Sequence, residues 1–377
     1  MKTLHSGSLN MNVGGPALSM SLTLKGLEKA GVHTVALCEQ IPRGGKLIDP
    51  DMNIRFTNKS KYGTFAYVNN IKYCLTQENR IDIYHIHGTW MYHGLAISKY
   101  ANNKGKPYVV SPRGMLYPQA LAHHALLKKA MMTLYQGRVF SAATCVQATC
   151  REEMEYYRAL GFRNPVAVLP NPIDINGIVD REIPSKPKFT IGYLGRLHPR
   201  KRVERLIYAF GELKEELKDC CLMVIGGGDE QYRKLLESEV KRLGLANVRF
   251  TGFLTGKEKD DAITELSLLV VPSDFENFGN IVPEALVRGV PVIASKGMPW
   301  QELVGFHCGW WIDNDQKSIN RTLLEAITLP IEERINMGMN GKRLMSENYS
   351  VEVLGEKMKQ LYEWILSGGE KPEFVYE

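Results

Sequence analysis

The segment Leu268–Glu302 leaves few folds open. A short apolar run, a polar loop, a helix opened by proline and a second apolar run follow one another without a break. Leu268–Pro272 is partly β-branched and is closed by Ser273-Asp274, which predicts a buried strand. Pro283 suits the first helical turn, where a missing N–H is no loss. Gly289 ends that helix, and Pro291-Val-Ile-Ala begins the next strand. Strand, helix and strand at this spacing predict a parallel α/β sheet.

The loop–helix junction places the backbone amides of Gly279, Asn280 and Ile281 at a helix N-terminus, a natural anion site. Gly279 allows close approach of a phosphate to the backbone. Glu276 on the loop and Glu284 in the first turn bracket this pocket. Carboxylates cannot bind the anion, but they can accept hydrogen bonds from hydroxyls on either side of it, as a sugar and a ribose joined by a diphosphate would offer. Taken alone, the two are also explained as a solvated loop residue and a carboxylate that complements the helix dipole.

The same alternation recurs along the chain. Lys2–Ser6, the loop Asn12-Val-Gly-Gly-Pro16, the helical stretch Ala17–Ala30 and His33–Leu37 form a βαβ opening. Gly14 and Gly15 sit where the first strand meets the first helix, a common ligand position, although the pattern is not G-x-G-x-x-G. In Asp82-Ile-Tyr-His-Ile-His-Gly-Thr-Trp90, strand alternation puts His85 and His87 on one face, with His87 nearer the carboxyl end. Packing with satisfied hydrogen bonds is the preferred reading for His85. Residues 107–114 repeat the pattern and place Arg113 at another carboxyl end. Leu116–Phe140 is rich in Leu, Ala and Met with Lys128, Lys129 and Arg138; it reads by default as a core helix and otherwise as an interfacial one. The polar Asp174–Lys188 is the expected linker. A second series follows, with strands near Phe189–Leu194, Leu222–Ile225, Val248–Phe250, Leu268–Pro272 and Pro291–Ala294. Gly226–Asp229 is a candidate ligand-side loop, and Gly195–Arg205 carries Arg196 and Lys201, cations suited to a phosphate. Val351–Leu366 has the period of an amphipathic helix.

Length suits two domains, expected at 1–176 and 177–350, with 351–377 as a terminal helix and tail. No apolar run nears the roughly 20 residues needed to cross a bilayer. The N-terminus shows no signal-peptide pattern, and the seven cysteines lack metal spacing, so a cytoplasmic setting is expected. Residues 1–176 hold 20 Lys/Arg against 10 Asp/Glu, whereas residues 177–354 hold 24 against 26. A basic front half suits an anionic membrane or acidic substrate as well as simple solubility. Nucleic acid is disfavoured because the basic residues are dispersed among sheet elements.

Taken together, GGPALSMSLTLKGLEKAG, DIYHIHGTW, SPRGML, LPNPID, GRLHPRKRVERLI and DFENFGNIVPEALVRGVPVIAS resemble the retaining glycosyltransferases of family 4, which have the GT-B fold. The resemblance implies an α/β protein of two Rossmann-like domains facing across a cleft, with a C-terminal helix crossing back to the N-terminal domain. It implies that Arg196 and Lys201 hold the donor diphosphate, together with amides near Gly279–Ile281. Glu284 would bind ribose hydroxyls and Glu276 the transferred sugar. Gly15 would approach the donor from the front domain, with Gly14 beside it, and His87 matches the active-site histidine. Arg113 is the candidate for acceptor contact. The family usually has glycine where this chain has Arg202. ENFGN, SPRGML and PWQEL resemble enzymes of bacterial lipopolysaccharide, capsule or exopolysaccharide assembly.

The expected chemistry is sugar transfer from a UDP- or GDP-linked donor to a glycan acceptor, lipid-linked and met at a membrane surface, with no cofactor and no metal. The leaving diphosphate is stabilised by cations and amides, and retention comes from same-face attack, no front-face nucleophile being evident. A non-catalytic nucleotide-sugar-binding scaffold, a sugar phosphorylase, a sucrose-type synthase and an epimerase of the same fold are the alternatives.

Overall fold

The computed structural model describes residues 1–176, 178 and 189–377. The expected linker Asp174–Lys188 lies, apart from 174–176 and 178, outside the described residues. The chain forms two compact units, Met1–Asp174 with Tyr349–Glu377, and Ile175–Asn348.

The first unit contains seven parallel strands: β1 (Lys2–Gly7), β2 (His33–Glu39), β3 (Ile54–Thr57), β4 (Ile83–His87), β5 (Tyr108–Ser111), β6 (Cys145–Ala148) and β7 (Val166–Val168). Their order is β3-β2-β1-β4-β5-β6-β7, and Val375–Tyr376 adds an antiparallel edge to β7. The order reverses between β1 and β4, which leaves a crevice beyond their carboxyl ends where open α/β sheets place ligands. Strands β4, β5 and β6 are buried along their whole length, as parallel strands with both faces covered must be.

The terminal helix Val351–Ser367 belongs to this unit. Ser350 caps it, accepting from the Val353 amide, and Leu354, Met358, Leu361 and Tyr362 form its buried stripe. It crosses the first helix, Gly15–Lys29, where two glycines meet. A Cβ on Gly355 would lie 2.2 Å from the Gly26 carbonyl oxygen, and one on Gly26 would lie 2.4 Å from the Val351 oxygen. Backbones approach this closely only without side chains between them. Ion pairs Lys29–Glu352 and Lys25–Asp174 flank the crossing.

The second unit contains β8 (Phe189–Leu194), β9 (Cys220–Ile225), β10 (Val248–Gly252), β11 (Leu268–Val271), β12 (Val292–Ser295) and β13 (Gly309–Ile312), all parallel, in the order β10-β9-β8-β11-β12-β13. Its reversal lies between β8 and β11. The loops that leave those strands are Gly195–Arg202 and Pro272–Asn280, the two with the strongest ligand signals in the sequence.

One expectation fails here. Leu116–Phe140 is not a core helix but a broken one, Pro118–Ala122, Ala125–Met131, a π-helical turn Met132–Gln136 and Gly137–Ser141. Its first two pieces bury no residue, and Leu126 is 86% and Leu134 71% exposed. Apolar composition alone implies burial, but the segment turns inward at its ends, at Leu116 and Tyr117 and again at Gln136, Val139 and Phe140. All cysteines are free, and among the described residues no helix is long and apolar enough to cross a membrane.

Candidate functional site

In the second unit, β8 ends at Leu194 and its loop is held by backbone contacts. Leu197 accepts from the Asp229 amide and donates to the Gly227 carbonyl, both at 2.9 Å. A Cβ on Gly226 would lie 1.9 Å from the Gly195 oxygen, and one on Gly228 would lie 2.4 Å from that of Leu197. The Gly226–Gly228 turn, a candidate ligand loop by sequence, is glycine-rich because it packs against the basic loop. Asp229 is the cap of the helix Glu230–Arg242, accepting from the amides of Gln231 and Tyr232.

Beyond Leu197, Pro199–Lys201 make one 3-10 turn and Arg202 follows in the left-handed region at φ 51°, ψ 37°. Arg202 therefore adopts the conformation for which a glycine is best suited. The turn brings Lys201 inward, 9% exposed, and its ammonium pairs with the Glu276 carboxylate. Burial, then the charges of Arg200 and Arg196, pull the Lys201 ammonium from 10.5 down to about 7. Arg196 stays exposed and makes no side-chain hydrogen bond or ion pair with described residues.

The Pro272–Asn280 loop is knitted to this turn. The Asp274 amide donates to the Arg200 carbonyl at 2.9 Å, the Asp274 carboxylate accepts from Arg202 Nε at 2.6 Å, and the Arg200 guanidinium lies 5.0 Å over the Phe275 ring. Ser273 Oγ donates to Glu276 Oε1 at 3.1 Å, and the Glu276 amide to the Gly297 carbonyl at 2.8 Å. Buried Trp300 donates from Nε1 to the Phe278 carbonyl at 2.5 Å. A Cβ on Gly279, at φ 77°, would meet Met298 Cε at 2.4 Å. The segment around Pro299-Trp300 thus fixes the loop from behind.

The helix that follows is only Ile281–Leu286, with Asn280 at its cap. Val282 and Glu284 spend their amides on the carbonyls of Gly279 and Asn280, and Pro283 has none. Glu284 is 7% exposed, and Lys259 Nζ lies 2.5 Å from its Oε2 in an ion pair without hydrogen-bond alignment. Lys259 lies on the helix Gly256–Thr264, and no sequence signal singles it out.

In the first unit, Gly14 (φ 77°, ψ −136°) precedes the helix that starts at Gly15; both are exposed. A different cluster fills the switch point. His5 on β1 pairs in register with His85 on β4, and His85 and His87 stack with ring centroids 4.3 Å apart. His87 Nδ1 accepts from Arg113 Nη2 at 2.7 Å and Nε at 3.2 Å, and His87 Nε2 lies 3.0 Å from His5 Nδ1. Arg113 Nη1 also donates to Ser19 Oγ at 2.7 Å and Asn171 Oδ1 at 2.9 Å. His85 is bonded at both nitrogens, to the Tyr362 hydroxyl and to Ser111 Oγ, each at 2.6 Å. Its packing role is as the sequence suggested.

Burial first, then neighbouring His and Arg charges, drives His85 and His87 well below 6.5, and burial with Arg113 takes His5 to about 3. All three rings are neutral at ordinary pH. Their ligand atoms lie within 4.8 Å of one another, yet every ring nitrogen is already bonded to a neighbour, and the Arg113 guanidinium beside them opposes a cation. His5 and Tyr362 were missed by sequence reasoning, because a lone strand histidine and a tyrosine on a helix stripe carry no signal.

Two family models cover both units: "Glycosyl transferase 4-like domain" matches residues 14–172 and "Glycosyl transferases group 1" matches residues 178–344. The chain belongs to glycosyltransferase family 4. Among the curated relatives of this glycosyltransferase is a GDP-mannose-dependent monoacylated alpha-(1-6)-phosphatidylinositol monomannoside mannosyltransferase of Corynebacterium glutamicum. It is 28% identical over 177 residues, 44% of this chain and 45% of that one. The chain matches each of the first curated relatives over less than half of their length. The fold is that of Anabaena HepE, solved with UDP and glucose (TM-score 0.74, 18% identity, 96% of this chain and 99% of that one). It is likewise that of WaaG, a glycosyltransferase involved in lipopolysaccharide biosynthesis (TM-score 0.66, 16% identity, 98% and 100%). Both are GT-B structures, and the two parallel-sheet, Rossmann-like units of this glycosyltransferase are of that type.

Proposed function

We propose that the protein is a retaining hexosyltransferase that moves a sugar from a nucleotide diphosphate sugar to a glycan acceptor in bacterial surface-polysaccharide assembly. The observation that carries this is the second unit's switch point, where Arg196, Arg200 and Lys201 gather with the Gly279–Ile281 segment at the ends of β8 and β11, beside buried Glu284 and half-buried Glu276. Cations and amides at a strand-end crevice suit a diphosphate leaving group. The second unit is then the donor domain and the first the acceptor domain.

In this reading Arg196 is the uncommitted cation, and Lys201 exchanges Glu276 for phosphate when the donor binds. Release of Lys201 frees Glu276 to accept from hydroxyls of the transferred sugar, while Glu284 takes those of the ribose. The charge that builds on the leaving phosphate is met by these groups, so the mechanism needs no metal. The departing phosphate takes the acceptor's proton on the same face, which retains the anomeric configuration. The names of the Corynebacterium relative, HepE and WaaG support a mannose or glucose donor linked to GDP or UDP, and a lipid-linked acceptor in lipopolysaccharide or a related polymer. Exposed Leu126, Leu127 and Leu134 beside Lys128 and Lys129 support peripheral contact with the inner face of the cell membrane.

A panel of UDP- and GDP-sugars, scored by thermal shift and donor hydrolysis, tests the assignment. One nucleotide series is expected to raise Tm and to be hydrolysed slowly in the presence of EDTA. Transfer with inversion, established from the product's anomeric configuration, would overturn the retaining mechanism, and binding without any turnover would favour a scaffold.

A further inference from the structure

The buried polar cluster of the first unit is a single chain of hydrogen bonds with one possible direction. It begins at Arg113, which can only donate, and ends at the Leu169 carbonyl, which can only accept. Arg113 donates to His87 Nδ1, so His87 carries its proton on Nε2 and passes it toward His5 Nδ1 at 3.0 Å. His5 is then protonated on Nε2, which lies 3.4 Å from the Tyr362 oxygen. The Tyr362 hydroxyl donates to His85 Nδ1 and His85 Nε2 donates to Ser111, each at 2.6 Å. Ser111 donates to Gln147 Oε1 at 2.5 Å, and Gln147 Nε2 to Leu169 O at 2.9 Å. Both ends require the same order, and it gives all three imidazoles the same tautomer.

Among the bonds described above, the Tyr362 oxygen is the atom that joins the Arg113–His87–His5 half to the His85–Ser111–Gln147 half. It is also the one link supplied by the terminal helix; the others lie on β1, β4, β5 and β6, in the loop after β5 (Arg113) and just beyond β7 (Leu169). His87 has neither a lone pair nor a proton left for substrate. What it offers is a fixed Nδ1 acceptor for Arg113, which stands in the left-handed region at φ 53° and, among the described residues, keeps one Nη2 hydrogen uncommitted.

We propose that Tyr362 is a positioning residue for the transfer: by fixing the direction of this chain it holds His87 as the Nε2–H tautomer and so aims the Arg113 guanidinium. This rests on the reading that Arg113 contacts the acceptor or the transferred group. Without the tyrosine hydroxyl, His5 loses its acceptor and His85 its donor. A His5 that shifts its proton to Nδ1 then pushes His87 toward the Nδ1–H form, which competes with Arg113 for the same site.

The test is nitrogen-15 NMR of the histidine rings, together with hydrolysis of UDP-glucose and GDP-mannose, on the full chain. In the wild type, His5, His85 and His87 are expected as Nε2–H tautomers; an Nδ1–H form at His5 or His87 overturns the proposal without any variant. In Tyr362→Phe, mixed tautomers at His5 and His87 are expected, with kcat lowered roughly 10- to 100-fold and KM for the donor within about 2-fold. If that variant does not fold, His5→Gln, whose amide keeps one acceptor and one donor, should preserve the His87 tautomer and activity where His5→Phe does not. Loss of turnover with unchanged tautomers would sink the role of Tyr362. Shifted tautomers with unchanged turnover would instead sink the placing of Arg113 in the reaction.

Discussion

Glu276 and Lys201 occupy one another in this structure, so each is the sharpest probe of the other's role. Glu276→Gln keeps the Ser273 contact but removes the charge that faces Lys201. In steady-state kinetics it is expected to lower turnover by roughly 100-fold with the fold intact by circular dichroism; near-wild-type rates would contradict a sugar-facing carboxylate. Lys201 also makes a prediction in pH. Its ammonium sits near pH 7 in the free protein against an ordinary 10.5. The unfolded chain therefore binds more protons between those values, and this residue's contribution to stability rises with pH from about 7 toward 10.5. If Lys201 meets the donor diphosphate as proposed, that charge raises the lysine again, and nucleotide binding at pH 8 is expected to take up a proton. Calorimetry in buffers of different ionisation enthalpy should show that uptake, and should lose it at pH 5.5 and in Lys201→Gln.

Arg202 shows how two small effects cancel. A non-glycine residue in the left-handed region costs about 1 kcal/mol, and Arg202→Gly would relieve that. The same change removes the ion pair with Asp274, whose partners are 41% and 35% exposed and which is worth about 0–1 kcal/mol at such exposure. Denaturant titration is therefore expected to show a change in stability within about 1 kcal/mol.

At the scale of elements, the crossing of the terminal helix over the first helix depends on two glycines. Gly355→Ala puts a methyl 2.2 Å from the Gly26 oxygen, where only backbone movement makes room. About 1–3 kcal/mol of stability should be lost, read as a lower urea midpoint. Because Tyr362 lies two helical turns further along, the same variant should disturb the histidine tautomers as well. The strand alternation, the 268–302 unit and the period of the terminal helix were all legible, because hydrophobic spacing follows directly from which face is buried. The Leu116–Phe140 segment was not, since an apolar helix face has the same pattern whether it meets a core or a surface. The glycines of 226–228 are ambiguous for a related reason: close backbone approach and ligand approach both call for glycine.

At the scale of the whole molecule, charge is divided unevenly, with +10 in residues 1–176 and −2 in residues 177–354. With the exposed leucines of Ala125–Gln136, this predicts binding to vesicles containing anionic lipid at low salt. Sedimentation should show binding fall steeply by about 0.5 M salt, where the Debye length is a few ångström, and should show Leu126→Glu with Leu127→Glu weakening it further. No binding at low salt would remove the membrane from the proposal. The residues of the proposed donor site stand at strand ends, a short distance along the chain from a recognisable strand, which is why sequence reasoning singles them out. Arg196, Lys201, Glu276, Gly279 and Glu284 follow from local rules of this kind. Their pairing did not: Lys201 meets Glu276, and Glu284 meets Lys259, only because β8 and β11 are neighbours and the Gly256–Thr264 helix packs nearby. The histidine chain is the clearest case. His5, His85, Arg113 and Tyr362 are scattered over more than 350 residues, and their order of bonds exists only once strand register and a docked helix bring them together. The sequence by itself determined which segments alternate and which strand ends bear charge, because both are written in local spacing. Which of those groups touch, and which nitrogen of His87 holds the proton, was decided by tertiary structure, because hydrogen bonds are set by distances that the order of residues does not contain.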